Sequence, residues 1–151
     1  MTKESLGESA LWQKYQTLEF VSDSRQQIHS GVIITADNPY GMNCSRWQNQ
    51  SNRSRLLRVL RVRGHAYQVI WGASFDYSHA EYSFLVPITC TQGRFLAKLF
   101  RQLAFYYCDR QGRLFLCMTR NRGRYAVPKL GLLSQHWRYS VSISRYLKRH
   151  F

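Results

Sequence analysis

A chain of 151 residues with 44% hydrophobic and 15% aromatic content is long enough for one domain with its own core, which excludes a disordered tail or a disulfide-stapled miniprotein. The formal net charge of +14, from 22 basic and 8 acidic residues, excludes an acidic binding surface and points to an anionic partner. No apolar run could span a bilayer and no signal peptide is recognisable, so a soluble cytoplasmic protein with no membrane partner is expected.

The charge is uneven. Residues 1–40 carry three basic and five acidic side chains, a net −2. Residues 41–109 carry nine and three, a net +6, and residues 110–151 carry ten basic side chains and no acid. Only Lys3, Lys14, Lys98, Lys129 and Lys148 are lysines; the other cations are arginines, whose planar fork suits phosphate and base edges.

In chain order, Leu11, Trp12, Tyr15 and Leu18 recur at helical spacing and predict a short amphipathic helix over residues 9–20. A polar connector over residues 22–30 follows. Val32, Ile33, Ile34 and Thr35 then form a β-branched run that Pro39 and Gly41 end, the pattern of a buried central strand. From Ser45, a plausible N-cap, to Gly64, a plausible C′ residue, the period becomes helical, with Leu56, Leu57 and Leu60 on one face.

That helix carries two messages. Asn49 and Arg53 fall in line with Leu56 and Leu60, so two polar side chains sit beside the stripe that faces the core and need partners there. They either tie the helix to the strand end as a satisfied network, the favoured reading, or line a pocket at the Asn38-Pro39 turn. Arg46, Arg55, Arg58, Arg61 and Arg63 cover the rest of the circumference with no acid among them, as on a solvated face or a phosphate-tracking one.

Tyr67, Val69 and Trp71 alternate as a second strand ending at Gly72, and residues 73–80 read as a loop. Residues 81–86 read as a third strand, with Tyr82, Phe84 and Val86 alternating against Ser83 and Leu85. A second helix is expected with Thr91 near its cap and Phe95, Leu96, Leu99 and Phe100 on one stripe. Residues 104–108 and 114–118 form strands around an Asp109-Arg110-Gln111-Gly112 hairpin turn. The order strand, helix, strand, strand, helix, strand, with an added hairpin strand, predicts an α+β, ferredoxin-like split βαβ sandwich.

Ile34-Thr35-Ala36, Asn38-Pro39, Asn49, Arg55-Leu56-Leu57, Ser74, Asp76, Glu81, Ser83-Phe84-Leu85-Val86 and residues 100–104 with Gln102 resemble, in order and spacing, an uncharacterised bacterial family, domain of unknown function 3293. The resemblance covers about residues 31–117 and implies no activity. Arg53, Tyr77, His79 and Arg101 stand where the family pattern has other residues, glycine in the case of Tyr77 and Arg101.

Beyond Met118 lies a basic, glycine-interrupted segment with Arg120, Arg122, Arg124 and Tyr125, similar in composition to arms that contact nucleic-acid backbones and equally to a solvated loop. Leu130, Leu132, Leu133, Trp137, Tyr139, Val141 and Ile143 are too apolar for a free tail and should pack on the domain or a partner. Arg145, Lys148, Arg149 and His150 add a last cationic cluster. The organisation expected is an N-terminal helix and connector (1–30), an α+β core (31–118) and a basic extension (119–151).

No catalytic motif is present. Asp76, His79 and Glu81, with His65 nearby, form the best enzymatic constellation, but their spacing matches no metal motif and nucleophile and oxyanion donors cannot be placed. Cys44, Cys90, Cys108 and Cys117 include no Cys-x-x-Cys pair, so reduced buried thiols, no metal site and no cofactor are expected. The third strand, where RNA-recognition modules display aromatics, is expected to bury Phe84 instead.

The sequence therefore predicts non-catalytic binding of a polyanion, RNA or a ribonucleoprotein surface, through Arg46, Arg55, Arg58, Arg61, Arg63, Arg120, Arg122, Arg124, Tyr125, Arg145, Lys148 and Arg149. Trp47, Trp137 and Tyr146 are interleaved as stacking groups. Two alternatives stay open. One is an inhibitor or assembly factor docking on an acidic protein or masking a nucleic-acid-binding surface. The other is an enzyme acting on a small anion at a pocket of Asn38, Asn49, Arg53, Asp76, Glu81 and Gln102.

Overall fold

The computed structural model describes residues 18–120 and 129–151. Eight strands, β1 (Leu18–Ser22), β2 (Gly31–Thr35), β3 (Gln68–Ser74), β4 (Ala80–Val86), β5 (Ala104–Cys108), β6 (Arg113–Met118), β7 (Lys129–Leu132) and β8 (Trp137–Tyr139), form one sheet in the order β7-β6-β5-β2-β4-β3-β1-β8. The helices are α1 (Arg46–Val62), α2 (Cys90–Leu99), the single turn α3 (Leu133–His136) and α4 (Val141–His150), with a 3-10 turn at Pro39–Gly41. The fold is mixed α+β, and no described helix is long and apolar enough to cross a membrane.

The β-branched run of β2 is central, paired antiparallel to β4 and to β5, so both its faces need cover. Val32 and Ile34 face α1 and α2, packing with Leu56, Leu60, Phe84, Leu96, Ala97 and Phe105. Gly93 lets α2 approach closely: a Cβ there would stand 2.5 Å from Val32 Cγ2. The helix accepts a glycine's cost of roughly 0.5–1 kcal/mol to make that contact.

Ile33 points the other way, into a second cluster with Phe20, Ile70, Leu85, Tyr106, Leu116 and Leu133. This side is covered largely by the sheet's own curl. Four strand steps separate β1 from β5, about 19 Å in a flat sheet at the usual spacing. Yet the Phe20 and Tyr106 rings meet edge to face at 5.1 Å between centroids. The outermost strands β7 and β8 are consecutive in the chain except for the four residues of α3. His136 spans the gap, one ring nitrogen 3.1 Å from Leu18 O and the other 2.8 Å from Leu130 O.

Several expectations are corrected. Leu18 to Phe20 belong to a strand: β1 pairs antiparallel with β3 (Leu18 opposite Ser74, Phe20 opposite Gly72), which satisfies backbone groups on both. The remainder of the expected N-terminal helix lies outside the described residues. β3 runs past Gly72 to Ser74 because Gly72 and Ala73 pair with Glu81 and Ala80. The cap of α2 is Thr89, two residues before Thr91, since Thr89 and Gln92 form a reciprocal capping box and the helix begins at Cys90. Its buried face is Gly93, Leu96, Ala97 and Phe100, while Phe95 and Leu99 are about half exposed, at 52% and 49%.

Other readings hold locally. Ser45 caps α1 in a capping box with Gln48, and Gly64 takes the left-handed conformation at φ 70° after the helix. The Asp109–Gly112 turn joins β5 to β6, with the Asp109 carboxylate accepting from the Gln111 and Arg113 amides. Phe84 is buried on the helix side, in edge-to-face contact with Tyr67 and Tyr82. In the C-terminal segment Leu133 and Leu147 are buried, whereas Leu132, Tyr139 and Val141 are exposed.

Candidate nucleic-acid interface and the polar cluster beside it

Asn49 and Arg53 find their partners where β2 ends. Arg53 donates through Nε to Asp37 Oδ1 at 2.7 Å and through Nη2 to Asp37 Oδ2 at 2.6 Å, a bidentate ion pair whose side chains are 12% and 0% exposed. The Tyr82 amide also donates to Asp37 Oδ2, and Gln102 Nε2 donates to Asp37 O. Burial pushes the Asp37 carboxyl above its ordinary value, outweighing the pull of the Arg53 guanidinium and the Tyr82 amide. Arg53 also lies over the Trp71 and Tyr82 rings, 5.4 and 5.2 Å from their centroids.

Beside it, Asn38 and Asn49 bond reciprocally. The Asn38 amide donates to Asn49 Oδ1 at 3.0 Å and Asn49 Nδ2 donates to Asn38 Oδ1 at 3.1 Å. Asn38 Oδ1 accepts again from the Cys44 amide, and Asn38 Nδ2 donates to Glu81 Oε1. Asn38 holds φ 49°, a left-handed turn position that asparagine tolerates. Asn38, Asn49, Arg53, Glu81 and Gln102 are therefore joined, directly or through Asp37, in one saturated network linking β2, α1, β4 and the α2–β5 connection. Sequence reasoning did not single out Asp37. The available signal was an acid at the strand end facing a lone arginine on the buried stripe of the next helix.

Asp76 stands apart from this network, in the β3–β4 turn. Its Oδ1 accepts from Ser74 Oγ, Ser78 Oγ and the Ser78 amide, and these bonds, the Ser78 hydroxyl first, hold its carboxyl down to about 2. His79 Nε2 lies 3.3 Å from Glu81 Oε1, and both side chains line a small recess of about 40 Å³ with Thr35, Ser83 and Gln102. Among the described residues no three His, Cys, Asp or Glu side chains converge as a metal site.

The remaining cations gather elsewhere. Arg46, in the first turn of α1, donates through Nη1 to Arg149 O at 3.0 Å and through Nη2 to Lys148 O at 2.9 Å. These are carbonyls at the end of α4, so Arg46 caps one helix with the start of another. Arg53 adds a bond to Phe151 O. Between α1 and α4 runs an open groove of about 410 Å³, edged by Arg46, Gln50, Ser54 and Lys148, with Arg53 over Trp71 and Tyr82 at its base. Neither helix contains an acid.

By helical geometry Trp47, Arg55 and Arg58 lie opposite the buried Asn49, Leu56 and Leu60, and all three are exposed, Trp47 to 77%. Arg61 reaches the Tyr67 hydroxyl, and Arg63 covers the Phe95 ring at 4.9 Å, so these two turn toward the domain's own surface. On α4, Arg145, Lys148 and Arg149 are exposed, and the Tyr146 ring lies beside that of His150, 4.2 Å between centroids and tilted by 42°. Arg120 is exposed at the far end of β6, while Arg122, Arg124 and Tyr125 lie outside the described residues.

No curated protein and no solved structure matches the chain. Residues 34–105, which take in the end of β2, all of α1, β3, β4 and α2, and with them the Asp37–Asn38–Asn49–Arg53–Glu81–Gln102 network, match the model of the family described as protein of unknown function (DUF3293).

Proposed function

We propose that the protein is a non-catalytic, cytoplasmic polyanion-binding domain whose partner is RNA or a ribonucleoprotein surface, held by the outer faces of α1 and α4. The strand order β5-β2-β4-β3 with α1 and α2 on one face supports reading its centre as a ferredoxin-like split βαβ unit. The observation that carries the functional reading is the pair of Arg46 bonds to Lys148 O and Arg149 O. They join two acid-free, arginine-rich helices, distant in sequence, into one cationic surface around a groove. Spread guanidinium groups can neutralise successive phosphates, and the exposed Trp47 and Tyr146 rings offer stacking faces for unpaired bases.

The saturation of the Asp37–Arg53 network argues for a structural role there, which leaves the free arginines as the binding groups. Protein purified at low salt should carry strands that raise its 260/280 nm absorbance ratio and that nuclease or high salt removes. Affinity for single-stranded RNA should fall steeply with salt through counterion release, log K against log[salt] having a slope of about −0.7 per phosphate neutralised. A salt-insensitive, nucleic-acid-free protein would defeat this reading and favour an acidic protein partner.

A further inference from the structure

We propose that Cys90 and Cys117 are a peroxide-responsive thiol pair, in which solvent peroxide oxidises Cys90 and Cys117 resolves the product into an intramolecular disulfide. Their sulfurs stand 3.9 Å apart, Cys90 at the first position of α2 and Cys117 on β6. Cys90 is partly exposed, whereas Cys117 is 2% exposed, so an oxidant from solvent meets Cys90 first.

Three neighbours favour a thiolate at Cys90. It lies in the first turn of a helix, where unpaired amides and the helix dipole favour negative charge. Arg94 follows one turn later, its position set by donation to Met118 O at 3.4 Å and by the Phe105 ring 5.5 Å away. Phe105 is the β5 residue opposite Cys117, so this charge is held over the pair. The Cys117 thiol supplies the third contact, its sulfur within reach to donate to a Cys90 thiolate. The Cys117 hydrogen bond first, and the Arg94 charge after it, bring the Cys90 thiol down from 9.0 to about 6 against the opposing effect of burial, and the same bond with burial pushes the Cys117 thiol up. One sulfur is thus the nucleophile and its neighbour keeps the proton.

The reaction balances with one hydrogen peroxide. The Cys90 thiolate attacks one peroxide oxygen and the O–O bond breaks, leaving a sulfenic acid on Cys90 and hydroxide. The hydroxide takes the Cys117 proton and leaves as water. The Cys117 sulfur then attacks the Cys90 sulfur, the S–O bond breaks, and the departing hydroxide is protonated to a second water. Two thiols are oxidised and one peroxide is reduced. Closing the sulfurs from 3.9 Å to the bonded distance of about 2.05 Å would link the first turn of α2 to β6 covalently.

The other two cysteines serve as internal controls. Cys108 is buried, and burial with the Asp109 charge pushes its thiol up to about 11. Cys44 is partly exposed but lies outside the pair.

The test treats the reduced full chain at neutral pH with one equivalent of hydrogen peroxide and maps every cysteine by mass spectrometry over time. A Cys90–Cys117 disulfide should appear, with Cys44 and Cys108 still free and Cys90 reacting at least about tenfold faster than Cys44. Cys117→Ser should hold Cys90 as a sulfenic acid trapped by dimedone. Equal rates at Cys44 and Cys90 in the unaltered protein, or oxidised Cys90 without a link to Cys117, would overturn the proposal, and neither result depends on a variant folding.

Discussion

Arg53 and Arg58 lie on the same helix and meet opposite surroundings. Arg53 is clamped by both oxygens of a fully buried carboxylate and covered by two rings, whereas Arg58 points into solvent with no ion-pair partner among the described residues. The residue type is identical, so position decides the role. An arginine on the core stripe loses most of its hydration and must be repaid by a carboxylate. One on the outer face keeps its hydration and has its charge available to a partner.

The largest effect that could break this contrast is Asp37→Ala. It leaves a mostly buried guanidinium unpaired and the Tyr82 amide without its carboxylate acceptor, and should cost about 3–5 kcal/mol in urea unfolding. RNA affinity of the folded fraction should not change. A loss below about 1 kcal/mol would mean that the cluster does not carry the structural role assigned to it. Arg55→Glu with Arg58→Glu should do the reverse. Stability should stay within about 0.5 kcal/mol, while RNA affinity at low salt falls about tenfold or more with a shallower salt slope. Unchanged titrations would remove α1 from the interface.

Arg46 belongs to both categories, since it is exposed yet bonded. Arg46→Ala should lower stability by about 0.5–1 kcal/mol through the uncapped end of α4. It should weaken RNA binding more than loss of one exposed cation would, because the α4 cluster is then no longer held beside α1. A titration matching that of Arg58→Ala would show the two surfaces to be independent.

Smaller effects sharpen the edges of the cluster. Arg101, next to Gln102, follows α2 in the left-handed region at φ 57°, and Tyr77 in the β3–β4 turn has the same φ. These are the two positions where the resembling pattern has glycine. Arg101→Gly should raise stability by about 0.5–1 kcal/mol, because relief of the left-handed strain exceeds the added chain entropy. A lower melting temperature would mean that the Arg101 side chain matters more than its backbone.

Asp76→Ala should be felt at neutral pH and no longer in strong acid. The Asp76 carboxyl is depressed in the folded chain, so its contribution is complete above the ordinary 3.8 and disappears as pH falls through about 2. The variant's stability should therefore change less than the parent's across that interval. Parallel acid limbs would show that the serine bonds add nothing to stability.

How much was legible follows from how local each signal is. The frame of α1 could be read because Ser45, Gln48 and Gly64 act on backbone groups within a few residues of themselves. The same holds for the Asp109–Gly112 turn. By contrast, β1 offers five residues that fit helix and strand periods alike until β3 is placed beside it, about fifty residues further on. In the site, the sequence put Asn49 and Arg53 on a stripe where polar groups need partners, but it could not pair Arg53 with Asp37. Asp76 was grouped with the pocket candidates by its proximity to Glu81 in sequence, and the turn carries it away from that cluster.

By itself the sequence determined the class of the domain, the identity and limits of its main helix, and the arginine-rich, acid-poor character of its C-terminal part. These follow from local backbone preferences and from composition, which no tertiary contact alters. Tertiary structure decided the rest: the curl that brings Phe20 to Tyr106, the choice of which arginine is buried, the Arg46 bridge between α1 and α4, and the meeting of Cys90 with Cys117. Each depends on two segments far apart in the chain coming within a few ångströms. That approach is set by how all the strands pair and pack together, which no local window of sequence encodes.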